Sequence, residues 1–210
     1  TFHKVGQLDA LLDNKFVFSY LPEARELERF SPLVEFPDMA APTTTVALPY
    51  FFANRVMTTK RPGYDTYLDW LGLSDFDPEA VPFESLIRTG GGRATDTFHV
   101  VEKPRDHVDF VSRFFVSGVR YLTNPTDVIG SLSDGCLLNL ERENDNVKNP
   151  DAVQLLRQDG EPIGYVPDWL CSDIASRLSN GQKVTAVAEQ VNEKAPFHLQ
   201  VLCRIEIRQG

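Results

Sequence analysis

Arg120-Tyr121, set just after Gly118-Val119, is the residue pair in this chain with the clearest chemical meaning. A tyrosine ring can stack on any nucleobase, at about 1–3 kcal/mol per base, and a neighbouring guanidinium can hold a phosphate through charge-assisted hydrogen bonds. A plainer reading stands beside it: a surface arginine and a core tyrosine at the end of a strand. Arg142 comes next, followed by a polar loop from Asn144 to Asp151 that contains Lys148 and Asn149. Asn and Asp in such loops often bond only their own backbone. Held between strands, the same side chains are free to bind a ligand. Lys148 can meet a phosphate but cannot stack a base. Tyr165, after Gly164, is either a core ring with its hydroxyl at the surface or a further base platform.

Other chemistry finds less support. Gly90-Gly91-Gly92-Arg93 has the look of a phosphate loop. A P-loop, however, lies between a strand and a helix and ends in Gly-Lys-Ser/Thr. Here the run follows a predicted helix, so a helix stop is expected. The chain shows no nucleophile elbow and no H-E-x-x-H motif, and Glu26/Glu28 and Asp75/Asp77 fall on predicted surface segments. His99 and His107 flank a polar stretch and suggest only a remote hydrolytic pair. Cys136, Cys171 and Cys203 are far apart, and the four histidines have no ligand spacing relative to them. Zinc requires about four converging ligands, so the thiols read as small buried hydrophobes. The expectation is a non-enzymatic protein without metal or cofactor.

Short β elements must position these side chains. An alternating strand ends at Arg142. A second, Ala152–Leu156, turns at Asp159-Gly160 into Ile163–Val166. Val108–Val116 is strongly β-prone, and Gly118-Val119-Arg120-Tyr121 reads as its continuation. Val128–Leu132 suits a short helix or a strand. Asp168–Leu178 is a predicted helix, with Asp168 as cap, Trp169 as a staple, Leu170, Ile174 and Leu178 on one face, and Asn180-Gly181 as its end. Val184–Ala188 and Leu199–Ile207 alternate as closing strands. Gly164 is expected to permit close packing or a bulge.

The first half has its own pattern. Val5–Leu8 and Lys15–Tyr20 read as a hairpin turning at Asp13-Asn14, with Phe16, Phe18 and Tyr20 on one face. One or two helical turns are expected over Pro22–Arg29, a helix over Asp65–Leu71 and another over Glu79–Arg88, capped by Asp77 and stopped by the glycines. Thr97–Val101 reads as a strand, and Glu102–Asp106 as the linker.

From Gly118 to Ile205 the chain resembles the HIRAN domain, a small β-barrel module found at the front of helicase-like ATPases and as a free-standing bacterial protein. The matching residues are Arg142-Glu143, the loop Asn144 to Asp151, Ala152-Val153 and Gly164-Tyr165-Val166-Pro167. The resemblance implies binding of single-stranded DNA, especially a free end. It implies a site at the barrel mouth formed by Arg120, Tyr121, Arg142, Lys148, Asn149, Asp151 and Tyr165. Asn149 and Asp151 stand exchanged relative to the family pattern, and Lys148 replaces an aromatic residue of the DNA-binding eukaryotic members.

The first hundred residues are similar to the N-terminal subdomain of HipA-type proteins. Val5-Gly6-Gln7-Leu8, Phe16–Tyr20, Pro49–Asn54 and Pro82-Phe83-Glu84-Ser85-Leu86 carry that likeness. No kinase motif accompanies it. The fold class expected is therefore α+β: a HipA-N-like α+β domain over residues 1–102, then over 107–210 a small OB- or SH3-like β-barrel with one or two helices.

Composition sets the rival readings. Net charge is −9, shared evenly by the two halves. Tight non-specific duplex binding needs a basic face. Capture of a strand end by stacked bases and one or two arginines does not. The leading expectation is a single-stranded nucleic-acid or DNA-end binding module. The alternative is a protein-interaction module of a toxin–antitoxin-like regulator, whose first half binds a HipA-type kinase or its antitoxin, since acidic charge suits a basic protein partner. No apolar run approaches the roughly 20 residues that cross a bilayer, and a cytoplasmic location without membrane partners is expected.

Overall fold

The computed structural model describes residues 2–11, 15–103 and 109–208. Its first half holds a three-stranded antiparallel sheet, β1 (Gly6–Ala10), β2 (Phe16–Tyr20) and β3 (Thr43–Thr45), in that order. Alternation along β2 buries Phe16, Phe18 and Tyr20, as the sequence pattern requires. Phe18 stacks on Phe36 at 4.2 Å and meets Tyr20 edge-on at 4.9 Å. The same half holds α1 (Tyr50–Ala53), α2 (Tyr64–Leu71) and α3 (Val81–Thr89). The Asp13-Asn14 turn lies outside the described residues. α3 starts later than expected, because Asp77 first closes a turn by accepting the Glu79 amide at 3.0 Å. It stops at Gly90, whose left-handed φ of 70° no other residue adopts cheaply.

The second half is a curled six-stranded antiparallel sheet. Its strands are β4 (Phe110–Phe115), β5 (Cys136–Arg142), β6 (Val153–Leu156), β7 (Pro162–Tyr165), β8 (Lys183–Val191) and β9 (Val201–Arg208), in the order β4-β9-β8-β5-β6-β7. Two helices accompany it, α4 (Pro125–Gly130) and α5 (Asp168–Ser179). The outer edges of the sheet meet: Ser117 and Tyr165 exchange both backbone hydrogen bonds at 2.9 Å. Gly164 makes this closure possible. A Cβ there would overlap the Ser117 carbonyl oxygen and lie 2.6 Å from Val116 Cγ1, and φ is 137°. The mixed α+β class and barrel-like second half follow the expectation.

Several elements differ from it. Gly118-Val119-Arg120-Tyr121 does not continue β4. Gly118 sits at φ 80° and Val119–Tyr121 forms a 3-10 turn, because Ser117 is already committed to Tyr165. Thr97–Val101 is not a strand; Val100 bonds back to Gly90. Asp168 is the first residue of α5 rather than its cap, a place taken by Pro167, which has no side chain able to cap. Leu199 ends a 3-10 turn, Phe197–Leu199, before β9 begins. Val108, His107 and the linker residues Pro104–Asp106 lie outside the described residues.

The two halves share buried surface. Leu71, Leu73 and Val81 pack in one cluster with Phe115, Ala195, Leu199 and Leu202. Trp169 does not staple its own helix. Its indole stacks on His99 at 4.3 Å and 9°, over Gly90, where a Cβ would lie 2.7 Å from the ring. Among the described residues no helix is long and apolar enough to cross a membrane.

Candidate functional site

The turn after β4 presents the arginine–tyrosine pair. Val119 is buried and anchors the turn, so the next two residues project outward. Tyr121 is 74% exposed, which excludes the core reading of its ring. The Arg120 guanidinium carbon lies 4.5 Å from the ring centroid, and Arg120 donates to the Tyr121 hydroxyl. Positive charge and an open ring are thus held together.

A second exposed ring sits on the adjoining turn. The Phe197–Leu199 turn packs against the Val119–Tyr121 turn. Its Leu199 is buried, whereas Phe197 is 44% exposed. Lys194 and His198 are also exposed on this connection. Sequence reasoning passed over Phe197. The available signal was an aromatic residue straight after Pro196, in a polar connection where no alternating pattern asks for one.

Tyr165 stands on the other side of Gly118, with its ring 3.4 Å from where a Cβ would be. It is half-buried, and Gln154 Nε2 reaches its hydroxyl at 3.4 Å. Burial, and secondarily the neighbouring Glu143 carboxylate, raise its pKa. The ring is thus neither fully in the core nor fully open to solvent.

The polar loop has spent most of its side chains on its own shape. Asn146 Oδ1 accepts the amides of Lys148 and Asn149, and Asn149 Oδ1 accepts that of Asp151 at 3.0 Å. Asn149 Nδ2 donates to Asp168 at 3.0 Å. Arg142 donates to Ser179 Oγ at 2.7 Å, at the far end of α5, and lies 3.9 Å from Asp151. Its Nε is buried with no hydrogen-bond partner among the described residues. The Lys148 side chain is exposed. The Arg120–Tyr121 turn thus has Tyr165 beside it across Gly118, while Asn149 is tied to Asp168 at the start of α5 and Lys148 stays exposed. Arg142 and Asp151 turn instead along α5. Glu143, Asp151 and Asp168 lie among the cations, so the region is aromatic and mixed in charge rather than uniformly basic.

The remaining candidates resolve simply. The glycine run stops α3 and makes room for Trp169 and His99. Burial lowers the pKa of His99, outweighing a bond to the Gly90 backbone. Burial pushes the Cys171 and Cys203 thiols up to about 11 and about 12, as inert core cysteines require. Among the described residues no group of three or more His, Cys, Asp or Glu side chains could hold a metal ion.

The part of the chain that carries this turn is matched by a family model. The HIRAN domain model matches residues 109–209, so the second half of this chain is a HIRAN domain. Among solved structures, a protein from Lactobacillus plantarum is similar at 16% identity and a TM-score of 0.40, over 48% of this chain and 97% of that one. The HIRAN domain of human HLTF is similar at 16% identity and a TM-score of 0.38, over 47% of this chain and 74% of that one. No curated protein matches the chain.

Proposed function

We propose that this chain is a non-catalytic nucleic-acid-binding module that takes single-stranded DNA or a DNA end onto the rim formed by Arg120, Tyr121 and Phe197. HIRAN domains are nucleic-acid-binding modules. The observation that carries the reading here is the pair of exposed rings on adjoining turns, with a guanidinium over one of them. Stacking needs no net positive charge, whereas duplex binding through phosphates does. An acidic chain with two open rings is therefore better suited to a few unpaired bases than to a double helix. Tyr165 lies next to this rim across Gly118, and the exposed Lys148 could add a phosphate contact.

Fluorescence anisotropy with labelled single- and double-stranded oligonucleotides at low salt tests this. Single strands should bind more tightly, and Tyr121→Ala should weaken them about tenfold. Equal binding of both forms, or an unchanged Tyr121→Ala variant, overturns it.

A second reading rests on the first half, whose sequence resembles the HipA N-terminal subdomain. A groove of about 230 Å³ there is lined by Phe16, Phe83, Asp77 and Glu84 among others. An apolar floor with carboxylates suits a basic protein partner, such as a HipA-type kinase or its antitoxin. Co-purification of such a partner, lost with Phe83→Ala, supports that reading; a monomer in pull-downs counts against it.

A further inference from the structure

The connection between β8 and β9 carries Phe197, yet much of what shapes it comes from the other half of the chain. Asn192 opens the connection. Its Nδ2 donates to two carbonyl oxygens, Leu199 at the far end of the same loop and Trp70 in α2, both at 2.9 Å. Gln190 Nε2 donates to the Asp69 carbonyl at 2.6 Å and to Asn192 Oδ1 at 2.7 Å. The last carbonyls of a helix have no partner within it. Here two side chains of the HIRAN domain supply partners for α2, and in doing so pin the start of the Phe197 loop.

Apolar packing acts in the same direction. Leu199, two residues after Phe197, is buried in the cluster formed with Leu71, Leu73 and Val81 of the first half. Arg88 secures that support by donating to the carbonyls of Leu71 at 2.6 Å and Gly72 at 3.2 Å. The loop is thus clamped at Asn192 and at Leu199, and the ring between the clamps stays in solvent.

From this we infer that the first half of the chain is a brace for the nucleic-acid rim, with Asn192 and Gln190 as positioning residues that hold Phe197 beside Tyr121. The inference rests on the rim reading above and adds to it a role for the first half. A ring fixed before the ligand arrives loses less conformational freedom on binding, so bracing raises affinity without touching the ligand.

The test uses the full chain and a fluorescein-labelled oligothymidylate in anisotropy titrations. The variants are Asn192→Ala, Gln190→Ala, Phe197→Ala, Tyr121→Ala and the Asn192→Ala/Phe197→Ala double, each at a temperature where circular dichroism shows it folded. Asn192→Ala should weaken binding about fivefold, in keeping with one ordered side chain set free. It should have no further effect once Phe197 is already alanine, because a positioning residue has then nothing to position. Amide exchange at Ala195 and residues 197–199 should quicken in Asn192→Ala while that of β2 stays unchanged. Should Asn192→Ala not fold, Gln190→Ala carries the same expectations. Unaltered affinity in the Asn192 or Gln190 variants, with Tyr121→Ala and Phe197→Ala both weakened, removes the brace and keeps the rim. Losses that multiply in the double variant also remove it, since Asn192 then acts on stability at large. Parental affinity in both Tyr121→Ala and Phe197→Ala removes the rim itself, and the brace with it.

Discussion

Two regions of the HIRAN domain read alike from their residues and behave differently in three dimensions. The Arg120–Tyr121 turn and the Arg142–Asp151 loop each pair an arginine with groups able to meet a nucleotide. In the turn, the ring stays in solvent and the guanidinium's described contacts are with that ring. In the loop, Arg142 is bonded to Ser179 and lies near Asp151, and Asn146 and Asn149 spend their oxygens on backbone amides. A polar side chain is available for binding only where the fold has not already used it. The difference comes from neighbours: α5 runs along the loop and offers Asp168 and Ser179 as partners, whereas the turn faces another solvent-exposed turn.

That contrast can be broken experimentally, beginning with the feature that positions the turn. Gly164→Val should cost about 3 kcal/mol or more, since it adds steric overlap at a backbone angle that β-branched residues avoid. Chemical denaturation should show the loss, and a parental midpoint would mean that the sheet edges need not meet. Tyr121→Ala comes next. It should reduce single-strand affinity about tenfold with no change in melting temperature, as removal of an exposed stacking ring requires. Arg142→Ala should do the reverse. Loss of its bond to Ser179 should lower stability by about 1 kcal/mol in a thermal melt while affinity changes little. A large affinity loss there would erase the distinction between the two regions.

Smaller effects sharpen the comparison. A rim that relies on rings should show a shallow salt dependence, with a log–log slope of about −0.7 to −1.4 on single strands, reflecting one or two phosphate contacts. A steep slope in anisotropy titrations would point to a wider basic surface. The seam between the halves adds a pH signature. The pKa of His99 is depressed chiefly by burial, with Arg55 also lowering it and Gly90, Asp96 and Asp168 opposing. A depressed histidine contributes stability above its unfolded pKa of about 6.5, and that contribution is lost as pH falls further. Melting temperature should therefore drop between pH 7 and pH 5, and by less in His99→Phe. An equal drop in both proteins would remove His99 from the account.

Much of this fold was legible in local pattern. Alternation in β2 announced Phe16, Phe18 and Tyr20 as core, and the glycines after α3 announced its end. The Arg142–Pro167 motif announced the HIRAN domain, and Gly164 announced a close approach. The Arg120–Tyr121 pair was identified, but as strand rather than turn. Gly118 alone could not reveal that Ser117 is held by Tyr165, a strand distant in sequence. Phe197 was missed because its meaning depends on which turn lies beside it.

Residue order by itself thus decided the period of each strand, the helix stops, the burial of two of the three thiols, Cys136 being only partly buried, and the family of the second half. Those properties depend on side chains a few positions apart, where propensity and sterics act without help from the rest of the molecule. Tertiary structure decided which arginine stays exposed, which asparagines are already bonded and which two turns meet. It also decided that α2 supports the Phe197 loop. Each of these is a contact between segments tens of residues apart, set by sheet closure and by helices seeking partners for their last carbonyls.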